Sequence, residues 1–84
     1  MMGRMTKEDD TLQSAIIDQI NAELGASGIS MKQLAVILGR PYDSTRNYLK
    51  KERSMPLGIF LEISGALNID VTIIMERAKQ RLER

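Results

Sequence analysis

The side chains with most chemical capacity in this 84-residue chain crowd into one stretch, residues 30–53, SMKQLAVILGRPYDSTRNYLKKER. Lys32, Arg40, Arg46, Lys50, Lys51 and Arg53 stand there against only Asp43 and Glu52, a net +4 in a chain whose total is +1. Residues 1–29 carry −3, and residues 54–84 are neutral. Positive charge is thus concentrated where a phosphate backbone could lie. Covalent chemistry has little to work with, because the chain contains no histidine and no cysteine. That removes the commonest general base, the thiol nucleophile and the usual soft metal ligands together. Paired carboxylates or a Ser-Lys dyad would remain, but no stretch has the length to build a pocket around them. The expectation is a non-enzyme with no cofactor, no metal and no small-molecule ligand.

The elements that must position these residues are two short helices and a tight turn. Ser30 can cap the first, its hydroxyl accepting an orphan backbone N–H. Leu34, Ala35, Ile37 and Leu38 form an apolar stripe, and Gly39 ends the helix in a left-handed conformation. Arg40-Pro41 makes the turn, because Pro fixes its own φ and biases its predecessor away from helix. The second helix is expected over 42–51, with Thr45, Tyr48 and Leu49 inward and Tyr42, Asp43, Arg46, Asn47 and Lys50 outward. This is the helix-turn-helix arrangement, whose second helix enters the DNA major groove. A generic solvated helix face carries similar residues, so the turn is what raises the reading above that one.

The remainder reads as packing. Residues 1–10, MMGRMTKEDD, show no periodicity and are expected to form a flexible arm. Helix 1 is expected over 11–24, capped by Asp10, with Leu12, Ile16, Ile20 and Leu24 as its stripe, widened by Ile17. Gly25-Ala26-Ser27-Gly28 should break it. Pro56 opens a fourth helix to Leu67, its buried face assigned to Leu57, Phe60, Leu61, Ile63 and Leu67, and Asn68 terminates it. Asp70 caps a last helix over 71–81, with Val71, Ile74, Ala78 and Leu82 on one face and Ile73 and Met75 on other sides. Hydrophobic residues at 43% and charged residues at 27% suit one globular domain, residues 11–84. No apolar run reaches the roughly 20 residues of a membrane span, and the expected location is the cytoplasm. The fold class expected is all-α, a compact five-helix domain.

The run LAVILGRPYDSTRNYLKKERSMP, followed by ISGALNID, resembles the lambda-repressor-like (XRE, Cro/repressor) DNA-binding domain over roughly residues 12–78. The matching features are Leu34-Ala35, Gly39, the inward Thr45 and Tyr48, Lys51-Glu52-Arg53, and Ala66-Leu67-Asn68-Ile69-Asp70. Two positions depart from the pattern: Met31 stands where the family often has a phosphate-binding Gln, and Pro41 where it prefers Ser or Thr. The resemblance implies a sequence-specific transcriptional regulator acting on a double-stranded operator, as a homodimer. Tyr42, Asp43, Ser44 and Asn47 would then meet bases, and Arg46 would either read a guanine or hold a phosphate. Asn can bond bidentately to adenine, Asp can accept from cytosine N4, and a Tyr ring can pack on a thymine methyl. Ser30, Lys32, Arg40, Lys50, Lys51 and Arg53 would meet phosphates, and Ile73 and Met75 would form the dimer interface. The alternatives are an antitoxin that represses its own operon and a helical protein-interaction module that never touches DNA.

Overall fold

The computed structural model describes the backbone of residues 7–83 and the side chains of residues 11–83. Among them there are five α-helices and no strand: α1 (Lys7–Ser27), α2 (Met31–Leu38), α3 (Tyr42–Leu49), α4 (Leu57–Leu67) and α5 (Val71–Leu82). Ile17, Ile20, Leu24, Leu34, Leu49, Ile59, Ile63, Leu67 and Ile74 form one buried cluster to which every helix contributes. The long α1 packs most extensively along α5, while α2 contacts α3 and α4, and α3 also meets α1. No single helix among the described residues is long and apolar enough to cross a membrane.

Helix α1 is longer at both ends than its periodicity suggests. Residues 7–10 belong to it, so Asp10 lies inside the helix and is not its cap; of the expected arm, residues 1–6 fall outside the described residues. At the other end Gly25 stays helical, and the turn waits for Gly28, whose φ of +78° is left-handed. A glycine weakens a helix without stopping it when the next residues still find partners. Here the Ser27 hydroxyl donates to the Leu24 carbonyl at 2.6 Å and accepts from the Ile29 N–H at 3.2 Å.

Three helices end alike. Gly39 (φ 67°), Lys51 (φ 66°) and Asn68 (φ 58°) are left-handed, and the next N–H reaches back to a free carbonyl: Arg40 to Ala35, Glu52 to Asn47, Ile69 to Ser64. Gly39 and Asn68 suit that conformation, whereas Lys51 carries a Cβ that opposes it at a cost of about 1–2 kcal/mol. Asp70 caps α5, accepting from the Thr72 N–H at 2.7 Å, which holds its carboxyl below the usual range.

The buried face of α4 differs from the expected one. Ile59, Ile63 and Leu67 are buried with Ser64, and Phe60 is half-buried, whereas Leu57 and Leu61 are 69% and 50% exposed. The segment LGIFLEISGAL is apolar around most of its circumference, so periodicity alone had no power to choose a face. Ile37, expected inward on α2, is 54% exposed, and Leu82 of α5 is exposed as well.

Between α1 and α5 runs a polar seam that an apolar-stripe reading misses. Gln19 and Glu23 are buried; Gln19 Nε2 donates to Glu23 at 2.6 Å, Arg77 donates to the same carboxylate at 2.6 Å, and Arg81 donates to Gln19 Oε1 at 2.7 Å. The hydrogen bond from Arg77 is the main reason the Glu23 carboxyl sits below the ordinary glutamate range. A carboxylate with a depressed folded-state pKa contributes stability above its unfolded value and loses it as pH falls through the folded one. Urea melts of the wild type should therefore lose midpoint steadily below about pH 4.5, and Glu23→Gln should lose less over the same interval. Parallel pH profiles for the two proteins would show that folding leaves the pKa of Glu23 unchanged, against the pairing with Arg77.

Candidate nucleic-acid interface

The α2–turn–α3 unit is seated by few but well-placed contacts. Ser30 Oγ accepts the Gln33 N–H at 3.0 Å while Gln33 Oε1 accepts the Ser30 N–H at 2.8 Å, satisfying donors at both ends of the first turn. Leu34 and Ala35 are buried, and Leu38 is half-buried against the core. In α3, Thr45 and Leu49 are buried and Tyr48 is half-buried. The Thr45 hydroxyl, polar at an inward position, donates to the Pro41 carbonyl at 3.1 Å, so its burial leaves no unpaired group. Asn21 of α1 completes the seat: its side-chain N–H₂ donates to the Leu49 carbonyl at 3.0 Å and to the Ile17 carbonyl at 3.1 Å. One amide thus joins the last turn of α3 to the long helix.

On the opposite side of α3 lie Tyr42, Arg46 and Lys50 at four-residue spacing, with Asp43 and Asn47 on the adjoining row. Tyr42, Asp43 and Lys50 are exposed, while Ser44, Arg46 and Asn47 are half-buried. Pro41 precedes the helix without any side-chain cap, and Asp43 stands in the first turn, where the positive end of the helix dipole favours a carboxylate. Helix α3 ends at Leu49, with Lys50 as its C-cap, so Lys51 lies beyond the helix instead of on it.

The six cations of the stretch divide into two groups. Arg40 is gripped by Glu62 of α4 through Nε at 2.9 Å and Nη2 at 2.8 Å, which lowers the glutamate's pKa and raises the arginine's. Lys51 reaches back to α1, 2.8 Å from Asp18 and 2.7 Å from the Ser14 hydroxyl. Arg46 lies 3.7 Å from Glu52. Lys32, Lys50 and Arg53 are exposed and have no side-chain partner among the described residues. Lys51 is a tether between α3 and α1 as the chain stands, and Arg40 a tether between the turn and α4. Both pairings are partly exposed and stay open to exchange with a phosphate.

Ile73 is 41% exposed on α5, and Met75 is half-buried on the wall of a groove between α1 and α4. Two residues apart on a helix means about 200° around it, so the pair cannot serve one flat seam. Gln33, three residues after Ser30, was legible as a capping-box partner; Asn21, Asp18 and Glu62 had no local signal, because their partners lie far along the chain. Comparison of the chain with protein-family models, with curated proteins and with solved structures finds no match.

Proposed function

We infer that this chain is a sequence-specific DNA-binding transcriptional regulator of the repressor/Cro type, using α2 and α3 as a helix-turn-helix with α3 in the major groove. The observation that carries the reading is α3 itself. It is a short helix fixed from behind by Thr45, Leu49 and the Asn21 amide, and it turns Tyr42, Asp43, Arg46, Asn47 and Lys50 away from the core. A rigid element presenting hydrogen-bonding groups beside unpaired cations is what base reading with backbone positioning requires. Lys32, Lys50 and Arg53 supply phosphate contacts from the outset, and Arg40 and Lys51 contribute less, because Glu62 and Asp18 compete with the phosphate for them. The ALNID segment, one of the features that resemble the lambda-repressor-like domain, closes α4 through Asn68 and caps α5 through Asp70. Such a regulator works in the cytoplasm, beside the chromosome.

The direct test is binding to a randomised duplex pool, followed by affinity measurements on the selected site across a salt series. Selection of a defined motif with a steep negative slope of log K against log salt is expected. Retention of no duplex at low salt would favour the protein-interaction module. Within that series, Lys50→Ala should flatten the slope by about one unit. Lys51→Ala should flatten it by less than half as much, because Asp18 already offsets that charge, and Asp18→Asn should steepen it. Equal flattening by the two lysine variants would show that the Lys51 tether is fully released on DNA.

A single α3 meets too few base pairs for a unique site, so two copies on half-sites about one DNA turn apart complete the reading. Ile73 is an exposed apolar residue of α5, and the proposed two-fold contact is centred there. Ile73→Glu should remain folded and lose affinity for a two-half-site operator while keeping its weak affinity for one half-site. Sedimentation at concentrations spanning operator binding checks this; a monomer both free and on DNA would exclude the dimer.

A further inference from the structure

Residues of α1, α4 and α5 and of the segment after α3 line a groove of about 620 Å³. Its volume falls in the range of about 300–1,000 Å³ typical of small-molecule sites. Ile16, Phe60, Leu57, Leu61, Val71 and Met75 form its apolar surface. Among the described residues the polar lining is one-sided: Lys51 and Arg53 line the groove with Ser14, Ser54 and Gln13, and none of these lining residues is a carboxylate. Asp18 engages Lys51 there, and the Arg53 guanidinium has no partner among the described residues. Met55 and Met75 in the wall are unbranched and adapt to an inserted chain more readily than β-branched residues would.

We propose that this groove binds a free amphipathic anion, an alkyl chain ending in a carboxylate, with its tail on Ile16, Phe60 and Met75 and its head on Arg53 beside Lys51. The charge pattern selects this occupant. A wholly apolar molecule would leave the cations unused, and a small inorganic anion would leave the apolar surface wet. The ligand also has a consequence for the interface, which rests on the DNA-binding reading above. Arg53 and Lys51 belong to the segment directly after α3, so an anion held there removes positive charge that a phosphate would otherwise meet. Binding of the amphiphile and binding of DNA are then antagonistic, each weakening the other by the same factor.

The test uses the full chain without DNA, so that its outcome is separate from that of the DNA reading. Decanoate, 1-decanol and acetate, each below any aggregation threshold, are titrated while side-chain methyl resonances and heats are recorded. Decanoate should saturate a single site and perturb Met75, Val71 and Ile16; decanol should bind about ten-fold more weakly, for want of the charge-assisted bonds, and acetate not measurably. Arg53→Gln should bring decanoate to the level of decanol, and Leu61→Asn should weaken both. Both side chains are exposed, so circular dichroism should report native helicity and melting for each variant. Equal affinity for decanoate and decanol would overturn the proposal, as would indifference to Arg53→Gln. So would dissociation of a dimer by Leu61→Asn with no decanoate bound, which would give the groove to a second copy. Attachment only to vesicles of anionic phospholipid would give it to a membrane surface. With an operator in hand, decanoate should lower wild-type affinity and leave that of Arg53→Gln nearly unchanged; a chain that binds decanoate but no DNA would keep the site and lose only its regulatory consequence.

Discussion

Leu34→Ala should lower the unfolding free energy by about 2–5 kcal/mol, out of a total on the order of 5–15 kcal/mol for a domain of this kind. Leu34 is fully buried, and α2, eight residues long, has only Leu34 and Ala35 buried in the core. A helix this short is not stable by propensity; it exists because its apolar face is covered. Truncation removes the transfer energy of the side chain and leaves a cavity beneath the α2–turn–α3 unit that neighbouring residues only partly fill. The comparison that makes the expectation sharp is Val36→Ala, two residues along and 80% exposed, which should change stability by no more than about 0.5 kcal/mol. Urea titrations of both variants, followed by circular dichroism, measure the difference. Equal costs would mean that α2 is not anchored through Leu34.

The second large effect is expected on recognition. Asn47 is half-buried on the row beside Arg46, and its side-chain amide has no partner among the described residues, while its carbonyl accepts the Glu52 N–H at 2.9 Å. Removing the amide therefore leaves the backbone turn after α3 intact, and Asn47→Ala should stay within about 0.5 kcal/mol of wild-type stability. On DNA the same change should abolish a bidentate contact with one adenine, costing roughly 1–3 kcal/mol of discrimination, about 5- to 150-fold, at one position of the site. Repeating the duplex selection with the variant measures this position by position. An unchanged motif would remove Asn47 from the reading surface, whereas uniform weakening across all sequences would make it a phosphate contact.

What was legible locally was punctuation. Ser30 and Asp70 as caps, Gly39 and Asn68 as left-handed ends, and the Arg40-Pro41 turn are set by the φ preferences and hydrogen-bonding reach of single residues. These determinants act within one helical turn, so the sequence alone carries them. The stop at Gly28 in place of Gly25 was less legible. Two glycines three residues apart are equally able to break a helix, and the choice fell to the Ser27 hydroxyl and the packing of Leu24.

The all-helical architecture, the positions of the turns and the concentration of charge on residues 30–53 were determined by the sequence itself. Which face of α4 is buried was decided only by tertiary structure, because a helix apolar around most of its circumference has several faces of nearly equal hydrophobicity. Its neighbours chose Ile59, Ile63 and Leu67 and left Leu57 and Leu61 to border the groove. The division of the cations was decided in the same way. Lys50 and Lys51 are adjacent and chemically identical, yet one is exposed without a partner among the described residues and the other is tied to Asp18, 33 residues earlier. A charge pair depends on distances of a few ångströms, and those distances exist only once α1 has packed against the end of α3.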